Sequence, residues 1–491
     1  MSELLIIILV APLVACLGIA AGLPAKKTAL TVTLFNALAS LLVAAKFHIG
    51  ATGYQFVSSI PAMSLGNYFE TNLKFGVDGL SLLLLLLTTI VSLAAVAVTP
   101  ADTRRPREFF ILLLLIVSGA LGAFLSVDLF FLYVFHEVAL IPTFILVGVW
   151  GNQDRKFAAI QMTIYLTVGS MVLLAGLLGF YFSLPVTARS FDLELIHETL
   201  TVTPLATSAQ GWIFLLLLGG FGILAALCPL HTWAPAGDAA APTPVAMLHA
   251  GVLKKVGIYG LLRLAVPFLP AGVHQYVDLF LVLILLNIIY IGLVTVWQKD
   301  LGFMLGYSSV AHMGVLFLGI ASMNVLGLAG TVVLMLAHGF DIALLFALNG
   351  EIRRRAGSTR FAGLGGLAQR LPRLAFLFII GGLASLGMPG LANFAGEIQV
   401  FFGAWDQFPW WVTFLAVWGI VLGAVYILRA VRNIFFGEMS PSAAVAPMKD
   451  LTPWAQRWPF ILLAAALLVI GFYPRLALQF VQPVINGWLG L

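Results

Sequence analysis

The chain has 491 residues, of which 61% are hydrophobic and 9% charged, with a formal net charge of +5. Soluble domains carry about 25% charged residues, so this composition excludes a soluble fold and points to an all-α polytopic membrane protein. A β-barrel is excluded too, because its strands alternate apolar and polar over about ten residues, whereas the apolar runs here are continuous.

The positive excess therefore bears on orientation in a bilayer rather than on nucleic acid. Cys16 and Cys228 lie far apart in apolar surroundings and read as packed thiols. The run from Leu4 to Ala21 has no basic region before it and reads as a retained first helix rather than a signal peptide.

In chain order, the apolar runs predict fourteen membrane spans: 4–22, 29–48, 77–99, 109–127, 129–149, 159–183, 211–229, 243–266, 276–297, 302–322, 325–349, 374–402, 409–435 and 457–477. Alternate loops separate the basic residues. One side holds Lys26, Arg104, Arg105, Arg155, Lys299, the run Arg353 to Arg355, Arg360 and Arg432, and the other holds Lys46, Lys74, Arg189 and Arg475. The asymmetry supports the count and places both termini on the non-cytoplasmic side.

Spans 7 and 12 are interrupted, by Pro229 to Pro235 and by Met388-Pro389-Gly390. Irregular backbone at membrane depth is tolerated where it is buried in protein or lines a hydrated cavity, so each break marks a polar interior. Their five-span separation predicts two inverted five-helix repeats, over residues 109–266 (spans 4–8) and 267–436 (spans 9–13). These are flanked by N-terminal spans 1–3 (residues 1–108) and a C-terminal unit (437–491) with span 14.

If span 8 begins near Thr243, Lys255 lies roughly 18 Å along it, near the middle of the hydrocarbon layer. Glu137 in span 5, His312 in span 10, His338 in span 11 and Glu397 after the break in span 12 fall at similar depth. Ionisable groups at one level on different helices suit proton relay within the membrane plane, with packing roles as the alternative for His312 and His338. Asp341 shares a helical face with His338 and is placed to pair with it. His231 is expected to support the broken backbone. Neither His249 nor Lys254 shares the face of Lys255, so at least one should turn to headgroups or to a neighbouring helix. No nucleotide, metal or cofactor motif is present in the sequence.

Several segments carry a resemblance: FGVDGLSLLL from Phe75, FHEVALIPTFILVGVWG from Phe135, CPLHTWAPAGDAAAPTP from Cys228, LHAGVLKKVGIYGLLR from Leu248, YSSVAHMG from Tyr307, AHGF from Ala337 and MPGLANFAGE from Met388. In order and together, they resemble the antiporter-like subunits of proton-pumping NADH:quinone oxidoreductase, and most nearly the subunit M (chain 4) type. The resemblance implies Glu137 as the span 5 glutamate, Lys255 as the span 8 lysine and Glu397 as the exit-side glutamate, with His312 and His338 in the family's histidine positions. Lys254, His231 and Asp341 are secondary candidates. NADH, FMN, Fe-S clusters and quinone are expected on partner subunits, and adjacent antiporter-like subunits and lipid as neighbours.

One family residue is missing. The span 7 lysine, five residues before the proline of the PLHTW-like motif, is Leu224 here. The first half-channel is thus expected either to be rewired, with Lys254, Lys255 or His136 supplying the counter-charge, or not to pump. A subunit of a multi-subunit Na+(K+)/H+ antiporter and a non-pumping scaffold are the competing expectations.

Overall fold

The computed structural model describes residues 1–64, 70–152, 154–439 and 448–491. Residues 440–447 of the predicted C-terminal unit lie outside the described residues. Among the described residues, 13 helices are long and apolar enough to cross a membrane. The remaining predicted span, 12, is divided into Pro372–Ser385 and Ala392–Gln407.

Four of the spans start where short polar side chains satisfy free backbone N–H groups. Asp78 and Ser81 form a reciprocal capping box at the head of span 3 (Gly79–Val98). Asp128 caps span 5 (Leu129–Trp150), Asp300 caps span 10 (Leu301–Ala321) and Asn324 caps span 11 (Val325–Ala356). Span 11 ends at Gly357, in the left-handed conformation, with Arg353, Arg354 and Arg355 in its last turn, where cations meet the negative end of the helix dipole.

Burial orders the spans. Spans 8 (Thr243–Phe268) and 11 are wholly buried along their apolar windows. Spans 1 (Ser2–Ala20), 6 (Arg155–Ser183) and 13 (Trp410–Phe435) expose Leu17, Phe157, Met171 and Trp410 on outer faces. The polar side chains of spans 8 and 11 therefore have only protein to pair with.

Several elements outside the spans were not anticipated. An antiparallel hairpin of β1 (Gln55–Ser64) and β2 (Glu70–Val77) precedes span 3. It is anchored by Lys74, which donates to Asp192 at 2.7 Å and to Glu194 at 2.6 Å near the short helix Leu193–Val202. Burial alone would lower the Lys74 pKa, but the two carboxylates raise it. A final helix, Arg475–Leu489, buries Ala477, Val481, Val484 and Ile485 at helical spacing, so it is amphipathic. It crosses the head of span 3 so closely that a Cβ on Gly79 would lie 1.7 Å from the Phe480 carbonyl oxygen, which restricts that position to glycine.

Candidate functional site

The two breaks position the polar groups. After span 7 (Thr207–Leu224) the chain leaves the helix and forms the short helix Trp233–Ala240. Asn287 of span 9 (Val277–Val296) satisfies this irregular backbone, accepting from Cys228 N and donating to Ala226 O at 3.3 Å and Val310 O at 3.0 Å. In span 12, Gly387 adopts φ +64° at the end of the first segment, and a Cβ there would lie 2.1 Å from Glu397 Oε2. The break thus turns the chain and leaves space for the Glu397 carboxylate.

From this second break a line of contacts runs back through the protein. Glu397 Oε1 lies 4.0 Å from His312 Nε2, which also faces the Ser385 carbonyl oxygen at 3.0 Å. The other ring nitrogen of His312 faces Ser308 O at 2.8 Å. The His312 and His338 rings stack with centroids 5.1 Å apart, and His338 Nε2 is 3.4 Å from Ser309 Oγ. Ser309 in turn lies 3.4 Å from Lys254 Nζ, which donates to Asp238 Oδ2 at 2.7 Å. The second Asp238 oxygen is 2.6 Å from His249 Nδ1. Asp238, Lys254 and His338 are at most 2% exposed. Five structural elements therefore supply one side-chain sequence: the short helix Trp233–Ala240 and spans 8, 10, 11 and 12.

Lys255 is fully buried beside this line and donates to Ala250 O at 2.6 Å, within the π-turn His249–Leu253 of span 8. Asp341 does not bond His338. It accepts from Asn393 Nδ2 at 3.4 Å, joining span 11 to the segment after the break in span 12. His231 stays outside the line, with its ring 6.5 Å from that of Tyr307 and its carbonyl accepting from Ala234 N at 3.0 Å.

Neither Lys254 nor His249 reaches headgroups. Both turn inward to Asp238 of the neighbouring short helix, because span 8 is enclosed on all sides and an unpaired ammonium there would be costly. Glu137 is separate: its hydrogen bond comes from Ser170 of span 6, which also contacts Tyr133 at 3.0 Å. Leu224, 3% exposed, is part of the apolar core.

One cavity adjoins the line and another lies against the short helix Trp233–Ala240. The first, of about 20 Å³, is lined by His312, Ser385, Glu397 and Tyr426, room for about one water. The other, about 1450 Å³, opens on the side of the basic loops and is bounded by Lys299, Asp300, Arg353, Ala236, Ala239 and Ala240.

Sequence reasoning did not anticipate Asp238, Ser309, Ser385 and Asn393 as contact-makers. Asp238 carried a signal, since an acid in a broken membrane segment needs a partner, and Lys254 is the nearest free cation. Arg263 carried the same signal in span 8. It forms a bidentate pair with Asp78 and packs among Tyr54, Tyr259 and Trp488.

Broken helices and ionisable side chains in a buried line define a helical membrane protein of the ion-translocating class. Residues 126–423 match the family described as NADH:quinone oxidoreductase/Mrp antiporter, transmembrane, and the chain belongs to that family. It is 34% identical over 473 residues to NADH-quinone oxidoreductase subunit M of Rhodobacter capsulatus, covering 95% of this chain and 90% of that protein. Its fold superimposes on a chain of respiratory complex I from Thermus thermophilus with TM-score 0.88 and 30% identity, covering 99% of both chains. A chain of the Mrp complex from Dietzia sp., at 20% identity and TM-score 0.84, shares the fold.

Proposed function

We propose that the chain is the subunit M-type, proton-translocating membrane subunit of an NADH:quinone oxidoreductase, passing protons sideways along the buried line while partner subunits carry out the redox reaction. The observation that carries this reading is the run of contacts from Lys254 through Ser309, His338 and His312 to Glu397. These groups combine a cation, a hydroxyl, two imidazoles and a carboxyl in surroundings where each change of charge acts on its neighbour. Lys255 supplies a second mid-span charge next to the line.

In this reading residues 109–266 and 267–436 are inverted repeats, supported by a break near the end of each. NADH, FMN, Fe-S clusters and quinone belong to partner subunits, and adjacent antiporter-like subunits flank the chain. The protein is multi-pass in the cell (inner) membrane, with both termini non-cytoplasmic.

The test is isolation of the chain with its native partners. The expected complex contains Fe-S clusters and couples donor-dependent quinone reduction to proton uptake into vesicles. A complex lacking redox centres but exchanging Na+ or K+ for protons would replace this reading with the antiporter one.

A further inference from the structure

Three observations converge on the short helix Trp233–Ala240. Its Asp238 is fully buried between two partners, Lys254 at 2.7 Å and His249 at 2.6 Å. Its Ala236, Ala239 and Ala240 form part of the wall of the 1450 Å³ cavity that opens on the basic side, and Asp238 lies on the opposite face of the same short helix, so one helix thickness separates that cavity from the acid. Beyond Lys254, the contacts continue through Ser309 to His338. Asp238 therefore stands between an opening to one membrane face and the beginning of the buried line.

We propose that Asp238, held between His249 and Lys254, takes protons from the basic-side cavity and loads them onto the lateral line. The proposal rests on the relay reading above and names its point of entry.

The step conserves charge and protons. A proton bound by Asp238 neutralises the carboxylate and loosens its hold on the Lys254 ammonium. That ammonium gives one proton through the Ser309 hydroxyl to His338 Nε2. The resulting amine recovers a proton from the Asp238 carboxyl, which returns the pair to its starting charges. His249 is a positioning residue: its Nδ1 faces Asp238 Oδ1, its ring packs at 5.2 Å against Trp233, and among the described residues its Nε2 has no hydrogen-bond partner.

The groups facing Asp238 are His249 and Lys254 of span 8, with the charge of Lys255 acting from the same helix. Ser309 of span 10 and His338 of span 11 lie beyond Lys254. Arg353 stands at the cavity rim, donating to Ala239 O at 3.3 Å.

The experiment uses the assembled complex in proteoliposomes and reads protons translocated per quinone reduced. Asp238→Asn combined with Lys254→Met removes both charges together, so neither is stranded in the interior. The expected result is an assembled complex that reduces quinone with a loss of translocated protons. Native stoichiometry in this double variant would overturn the proposal, because the pair would then be structural only.

Where the double variant fails to assemble, Asp238→Glu keeps the carboxyl. It should assemble and translocate protons with a displaced pH profile, and an undisplaced profile would overturn the loading role. Lys255→Met and Glu397→Gln run in parallel. If they lower stoichiometry and the Asp238 variants do not, the loading role alone falls. If none of them lowers it, the relay reading falls as well.

Discussion

The two halves of the protein handle buried polarity differently. In residues 267–436, His312, His338 and Glu397 come from three different spans and contact one another or lie within 4.0 Å. In residues 109–266, among the described residues Glu137 bonds Ser170, with Tyr133 beyond it, and Leu224 is part of the apolar core. The remaining charges of the first half turn in other directions. Lys254 joins Asp238 and reaches toward span 10, while Arg263 joins Asp78 at the head of span 3. Two halves of one fold need not use one wiring, and here the first half is connected to the second through Lys254 rather than through Glu137.

Variants can break or sharpen that contrast. The largest effect on stability should come from Arg263→Met, which removes the cation paired with the buried Asp78 and leaves that carboxyl with its Ser81 contacts. The loss should be about 3 to 5 kcal/mol, read as earlier thermal disruption of the purified complex. His338→Phe preserves the ring stack with His312 but removes the ring nitrogen facing Ser309. Proton translocation per quinone should fall while assembly is retained. Glu137→Gln should lower translocation less than His338→Phe does. An equal loss would show that the halves communicate by a route other than Lys254.

A smaller effect is expected outside the spans. Burial raises the Asp128 carboxyl to about 6, against its hydrogen bonds from Thr71, Phe131 and Phe130. The folded pKa is above the unfolded one, so the ionised group costs stability as pH rises from the ordinary carboxylate range through about 6, and the cost then levels off. Asp128→Asn keeps a competent helix cap. It should therefore match the native protein at low pH and melt slightly higher above pH 6, as read by thermal melts across pH.

Much of this arrangement was legible in the sequence, because in a bilayer both length and charge are constrained. Continuous apolar runs predicted the spans, and Pro229 and Met388-Pro389-Gly390 marked the breaks that the structure contains. Glu397, His312 and His338 stood out as titratable groups in otherwise apolar stretches of their helices. The contact-makers between them did not. Ser309 and Ser385 are unremarkable on a helix, and the Asp238–Lys254 pair depends on how the break folds back, which no periodicity encodes. Hairpin β1–β2 was missed because Gln55 to Ser64 lacks regular alternation and contains Pro61. The final helix Arg475–Leu489 is too amphipathic to register as a span.

In the proposed relay the buried line ends in a carboxyl that gives protons up, and Glu397 holds that place. Replacing Glu397 by Gln in the assembled complex and counting protons moved per quinone reduced in sealed vesicles addresses the claim most directly. A lowered count with quinone reduction still running is the predicted result, and a count equal to the native complex would contradict it.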